Sequence, residues 1–580
     1  MARRSRRTGW AAAAALVVAG VLVASGGGIA PVAAGDAPPP LVEGLPGDLH
    51  LNEVQYVGSH NSYHREPRPA LMNLIRGFDP DGADQLEYSH APIPEQLGTM
   101  GVRQLELDVF ADAEGGRYAA PAGGPSDPEP PLVRPEMDEP GFKVLHIQDI
   151  DYETTCTTLV RCLTQVHTWS DANPGHLPIA ILIEAKDEVL TVEEYGPVAA
   201  LATVPEPIDD DAFEALDDEI RSVFDEDELF TPDDLEGSHD DLEAAVQADD
   251  WPTLEEAQGQ VLFLLDNGGT HRSTYLTNGI DGELTGQPMF VTSPPGQPTA
   301  AYVQQNDPIG GAATIQGLVD DGYVVRTRAD EPTFQARSGD PAMSEAALAS
   351  GAQWVSTDYP VPGISARFGS TYFAALPGFH PGRCNPVSGP DGCADPPGCR
   401  SPFLDVGATH PFLEDVCWLT EQRVSTGYVD RTFRTSAPVS RQAMAAFLHR
   451  FAGDEDPGAC PPAFSDVPAD HAFFEDVCWL VGEGITDGYP DGTFRPSAAV
   501  TRQAMSAFLY RFAEEPPFTA PGAPTFGDVG VSHPFRVEIE WLADEGISTG
   551  TPASPKPRFK PSAAVSRQAM AAFLHRFPAS

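Results

Sequence analysis

The sequence predicts an α/β chain: a parallel (β/α)8 barrel followed by an all-α region built of three repeats. Two observations carry this. Between residues 47 and 370, eight short apolar runs alternate with helical or loop segments, the pattern of strands that re-enter one sheet through crossovers. Beyond residue 400 one motif recurs three times, at a spacing of roughly 61 to 65 residues, which marks a repeat array. At 580 residues the chain also exceeds what one hydrophobic core supports.

The first segment, residues 1–34, reads as an export signal. Arg3, Arg4, Arg6 and Arg7 form a basic start, an apolar run follows from Trp10 to about Ala24, and Val32-Ala33-Ala34 offers a cleavage site. The run is short and leads to small residues, so it predicts a signal peptide and no transmembrane anchor in the mature chain. General secretion and twin-arginine export both remain open. The 85 acidic side chains outnumber the 35 basic ones, for a net charge of −50. A surface of that sign repels a polyanion, which excludes nucleic acid as a general partner. Eight cysteines in an exported chain imply disulfides. Cys156 and Cys162 are close enough in sequence to close a small loop.

In the barrel region, residues 47–370, the expected strands are Val54–Val57, Gln104–Val109, Val144–Ile147, Ile179–Ile183, Val261–Leu265, Met289–Val291, Tyr323–Arg326 and Trp354–Ser356. The acidic stretch from Glu206 to about Glu256 is expected to be helical and solvated. Residues 371–400, rich in Gly, Pro and Cys, read as a linker.

The repeats occupy residues 401–453, 460–514 and 523–580. Phe403-Leu404-Asp405-Val406 returns as Phe464-Ser465-Asp466-Val467 and Phe526-Gly527-Asp528-Val529. His410, His471 and His533 follow, then a Trp-Leu pair, then Gly427, Gly488 and Gly550. Each unit closes on Ser/Thr-Arg-Gln-Ala-Met, with Arg441, Arg502 and Arg567, and an amphipathic helix. The pattern resembles the S-layer homology (SLH) domain in three tandem copies. That resemblance implies a pseudo-threefold unit that binds cell-wall polysaccharide non-covalently through Arg441, Arg502 and Arg567. The family's usual Thr-Arg-Ala-Glu is here Ser/Thr-Arg-Gln-Ala, without the acidic residue. Cys399 and Cys417 stand where Cys460 and Cys478 stand in the next repeat, while the third has Gly522 and Glu540. Joint presence and joint loss predict the pairs Cys399–Cys417 and Cys460–Cys478, leaving Cys384 for Cys393.

Polar residues gather at four expected strand ends. Gly58-Ser59-His60-Asn61-Ser62-Tyr63 follows the first strand. Glu106 and Asp108 share one face of the second by alternation. His146 belongs to the third and Glu184, followed by Lys186, to the fourth. Asn61, Glu106, Asp108 and Glu184 make an all-oxygen set suited to Ca2+ or Mg2+. A cation with two imidazoles suits phosphodiester cleavage. His64, His90 and His271 are expected on the surface or in loops.

In this order, Gly-Ser-His-Asn-Ser-Tyr, Glu-Leu-Asp-Val, Leu-His and Leu-Ile-Glu-Ala-Lys resemble the calcium-dependent phosphatidylinositol-specific phospholipase C family in its bacterial form. Phe263 to Asn267, Val325 to Asp330 and Val355 to Pro360 add to the likeness. It implies a TIM-type barrel, His60 and His146 as the catalytic pair, and Asn61, Glu106, Asp108 and Glu184 as Ca2+ ligands. The inositol 2-hydroxyl would attack phosphorus, releasing diacylglycerol and a cyclic inositol phosphate. Lys186 and Arg326 are candidates for holding phosphate or ring hydroxyls. The expected protein is a secreted enzyme retained on the cell wall. Two alternatives are a glycerophosphodiester or other soluble-diester hydrolase on the same barrel, and an inactive surface-binding protein. The Asn61-Ser62 that follows His60, in place of the His-Arg-Gly of glycerophosphodiesterases, favours the phospholipase.

Overall fold

The computed structural model describes residues 41–124, 134–279, 283–453, 458, 460 and 462–578. The export signal expected over residues 1–34 lies outside them. No helix among the described residues is long and apolar enough to cross a membrane.

Eight parallel strands form a nearly closed barrel: β1 (Val54–Ser59), β2 (Gln104–Phe110), β3 (Ile179–Ala185), β4 (Val261–Leu265), β5 (Met289–Val291), β6 (Tyr302–Gln304), β7 (Val324–Arg328) and β8 (Trp354–Thr357). Their spatial order is β5-β4-β3-β2-β1-β8-β7-β6, and a parallel bridge between Thr292 and Tyr302 brings the two ends together. Helices cover the outside, so β3 and β4 are buried on both faces. That is why Ile179–Ile183 and Val261–Leu265 read as unbroken apolar runs. The interior is partly polar. Gln104 and Ser356 bond across it, and Gly58 is required there, because a Cβ would stand 1.9 Å from Gln104 Oε1.

Two expectations need correction. Lys143–Val144 is a short strand, but it pairs antiparallel with the end of β2 and lies outside the barrel. Beyond it the chain turns back, with Asp151 N bonding Ile147 O, so His146 sits in the long connection between β2 and β3. The barrel strand not anticipated is β6. It is three residues long, its Val303 and Gln304 are only half-buried, and it follows the Pro-rich run 294–298. Too little apolar sequence remains there to announce a strand. The acidic stretch does contain helices, at Asp210–Arg221, Pro232–Glu236 and Leu242–Gln247.

The segment expected as a linker packs against both neighbours. Gly382–Cys384 adds an antiparallel strand to β1, while Phe373 and Phe379 join the core of the repeats. Disulfides join Cys156–Cys162, Cys384–Cys393, Cys399–Cys417 and Cys460–Cys478.

Each repeat holds two helices: Leu413–Glu421 and Arg441–Phe451, Phe474–Gly482 and Arg502–Phe512, Arg536–Asp544 and Arg567–His575. The closing motif is a helix start. Ser440, Thr501 and Ser566 cap by accepting from the N–H three residues on. The repeats close in a ring with pseudo-threefold symmetry. Val439 N donates to Val565 O, Val500 N to Val439 O and Val565 N to Val500 O, each at 2.9 Å. Phe451, Phe512 and Phe577 form a second triangle of mutually packed rings. Repeat 3, which lacks the cysteine pair, uses Glu540 instead. This buried carboxylate accepts the Thr525 N–H at 2.9 Å, tying down the same entering segment.

Candidate active site

The site lies where the strands end. His60 follows β1 directly, and its N–H bonds Thr357 O at the end of β8. Asn61 takes a left-handed backbone, φ 45°, which asparagine tolerates better than most residues. Ser62 then bonds Glu106 on both sides: Ser62 N donates to Glu106 O, and Glu106 N donates to Ser62 Oγ. The Ser-His-Asn-Ser turn is thus held between β8 and β2, and His60 faces the barrel axis.

Glu106, Asp108 and Glu184 meet at this mouth. Alternation sets Glu106 and Asp108 on one face of β2, and register sets Asp108 beside Glu184 on β3. One oxygen from each lies within 4.8 Å of the others. Arg326 Nη2 donates to Glu106 Oε2 at 2.5 Å. Lys186 Nζ stands 2.8 Å from Glu184 Oε1 and 3.2 Å from Asp108 Oδ2. Asn61 Oδ1 and Asp108 Oδ1 are buried with no hydrogen-bond donor among the described residues, and Asp108 Oδ2 has only the shared Lys186 ammonium. Burial pushes Glu106 up to about 7, with Arg326 opposing and Asp266 and Glu184 adding to the rise. Burial also pushes Asp108 well up, against the pull of Lys186. Crowded carboxylates with orphaned oxygens are a donor set that fits a hard divalent cation.

Each catalytic candidate histidine rests on a buried carboxylate. His60 Nδ1 lies 2.9 Å from Asp358 Oδ1, and its Nε2 lies 3.7 Å from Glu106 Oε1. Burial, with Arg328 and Arg326 nearby, holds the His60 pKa well below its ordinary value. His146 Nδ1 lies 2.7 Å from Asp151 Oδ2, and His64 Nε2 lies 2.8 Å from the same oxygen. Burial would raise Asp151, yet His64 and His146 together hold it below the ordinary carboxylate range.

Several placements differ from the sequence expectation. His64 and His90 lie in loops, as expected, but are buried rather than superficial. His64 stacks on Tyr88 with ring centroids 4.2 Å apart, and His90 Nε2 bonds His60 O. His271 is half-buried on Asp187. Arg326, 1% exposed, divides its guanidinium among Glu106, Ser356 and Asn306, and Lys186 is spent on Asp108 and Glu184. Both cations therefore hold the acidic cluster rather than facing open space. Asp358 and Asp151 were not singled out. Asp358 stands in a segment that carried the family likeness, but its contact with His60 spans 298 positions.

In the repeats, Arg441, Arg502 and Arg567 reach from one unit to the next. Their Nε groups donate to Phe494 O, Phe559 O and Phe433 O, at 2.7, 2.6 and 2.7 Å. Each guanidinium also lies over the ring of that phenylalanine, at 4.6 to 4.8 Å.

Comparison with known proteins completes the picture. The S-layer homology domain matches residues 402–445 and 463–506. Cell surface glycoprotein 1 of Acetivibrio thermocellus is 31% identical over 144 residues, 23% of this chain and 6% of that protein. A cellulosome-anchoring protein of the same organism is 29% identical over 135 residues, 23% of this chain and 30% of that protein. The chain thus spans less than a third of these relatives' length. Among solved structures, a calcium-dependent phosphoinositol-specific phospholipase C from a Pseudomonas species is 18% identical, with a TM-score of 0.35. That match covers 58% of this chain and 96% of that one. An enzyme of the same kind from Streptomyces antibioticus is 18% identical, covering 54% and 95%, with a TM-score of 0.32. The family described as phosphoinositide phospholipase C, Ca2+-dependent, matches residues 49–386, more than half of the chain, and the protein belongs to that family.

Proposed function

We propose that the barrel cleaves phosphatidylinositol to diacylglycerol and a cyclic inositol phosphate. The supporting observation is the pairing of two carboxylate-backed histidines with an acidic cluster in which buried oxygens lack donors. Asn61 Oδ1, Glu106, Asp108 and Glu184 would hold Ca2+. When bound, the cation offsets charge on the phosphoryl oxygens and acidifies the 2-hydroxyl. Glu106 accepts the proton of the attacking 2-hydroxyl, its other oxygen being fixed by Arg326. His60, oriented by Asp358, faces the same carboxyl and lines the phosphoryl oxygens. His146, backed by Asp151, donates a proton to the leaving diacylglycerol oxygen. Asp151, 2.7 Å from Nδ1, fixes the ring's orientation and leaves Nε2 for the proton transfer.

The repeats hold the exported enzyme on the cell wall by binding its polysaccharide, with Arg441, Arg502 and Arg567 at the binding grooves. The repeat match and the surface-protein relatives support this. The test is product release from phosphatidylinositol vesicles with Ca2+ and with chelator. The expected outcome is Ca2+-dependent cyclic inositol phosphate, abolished in His60→Ala. Cleavage of glycerophosphoinositol alone would move the assignment to a soluble diester.

A further inference from the structure

Repeat 1 differs from its siblings where it meets the barrel. The turn after its first helix carries Arg423, φ 55°, and the next loop carries Arg431, φ 57°. At those places repeat 2 has Gly484 and Gly492, at 67° and 75°, and repeat 3 has Gly546 at 72° for the first. Glycine suits this backbone because a Cβ crowds the neighbouring carbonyl. An arginine there carries strain the siblings avoid, and such strain persists only where surrounding contacts offset it.

Both arginines leave their repeat for the barrel and its C-terminal strap. Arg423 donates to Thr371 O at 3.2 Å and Phe373 O at 3.1 Å, with its guanidinium 4.5 Å over the Phe373 ring. Arg431 is buried, pairs with Glu95 and donates to Thr99 Oγ1 at 2.9 Å. Glu421, aligned with Gly482 and Asp544, accepts the Gly378 N–H at 2.6 Å. The barrel answers in kind. Gly363, φ 97°, lies on the loop after β8, and a Cβ there would stand 2.5 Å from Tyr428 O and 3.2 Å from Thr426 O. Thr426 is buried, whereas its counterparts Asp487 and Thr549 are exposed. The loop so clamped is the one that starts at Asp358, the partner of His60.

We propose that repeat 1 is a dock for the barrel rather than a third equivalent module. It joins barrel and repeats into one body and fixes the loop after β8. This stands apart from the substrate reading, since its test needs no turnover. The full chain is compared with Arg423→Gly/Arg431→Gly, which gives repeat 1 its sibling's residues. Calorimetry of the parent is expected to show one unfolding transition. The variant splits it in two, the lower a few degrees below the parent, and its radius of gyration by X-ray scattering rises. Were the side chains idle at the interface, relief of left-handed strain would leave one transition at the same or a higher temperature. That result overturns the proposal, as does a parent that already melts in two steps. Charge exchange gives a second test: Glu95→Arg splits the transition, and adding Arg431→Glu restores it. Failure to restore it contradicts the pairing.

Discussion

The barrel mouth and the repeat ring both bury charge, in opposite ways. In the ring, Arg441 and Arg567 are 7% exposed. Their charge is met by carbonyl oxygens and aromatic faces of the next unit, so each guanidinium works as a fastener. At the mouth, Asp108 is fully buried and its Oδ1 lacks a hydrogen-bond donor among the described residues. Its cationic neighbour, Lys186, is shared with Glu184, and a buried carboxylate so incompletely satisfied destabilises the fold. The ring meets its buried charge from within, whereas the mouth leaves buried oxygens for something that arrives.

The largest effect should come from the histidines. His146→Ala is expected to lower turnover by roughly 10²–10⁴-fold, the usual worth of a general acid, with unchanged melting. Asp151→Asn should lose less, since it leaves the imidazole in place and removes only the group that orients it.

Next comes the contrast in stability. Arg567→Met should cost about 2–4 kcal/mol by denaturant titration, because it strips Phe433 O and Ser425 of their donor and empties packed space. Asp108→Asn should do the reverse, raising the melting temperature without calcium while weakening calcium binding. If both changes destabilise equally, the mouth is a structural network like the ring.

The pH response sharpens the same point. Glu106 rises from its ordinary value of 4.5 to about 7 in the fold. The folded, calcium-free barrel therefore holds a proton that the unfolded chain has released. Its contribution is full below about 4.5 and is lost as pH rises through about 7. Calcium binding needs the carboxylate, so affinity should climb over the same interval. Calorimetric titration at several pH values checks the sign. The smallest effect is expected at Glu540→Gln, about 1 kcal/mol, since the amide oxygen still accepts the Thr525 N–H.

Much of this was legible in the sequence, for identifiable reasons. The repeats announce themselves by period, and their cysteines by joint loss. Glu106 and Asp108 are two residues apart on a strand, so their shared face follows from alternation. The partners of the histidines were not legible. Asp358 meets His60 only because β8 lies beside β1, and Asp151 reaches His146 only because the chain reverses after Lys143–Val144. The strand β6 escaped notice because three residues carry too little pattern. Nothing in the sequence marks Arg423 and Arg431 as contacts to the barrel; their left-handed backbone, where repeats 2 and 3 have glycine, does.

The most direct test of the account measures phosphatidylinositol turnover against free Ca2+ for the parent chain and Asp108→Asn. The account predicts that the parent saturates with calcium and forms cyclic inositol phosphate. It also predicts that Asp108→Asn, though folded and no less stable, needs far more calcium or fails altogether. Equal calcium dependence in the two proteins would contradict the claim that this buried carboxylate is held for the cation.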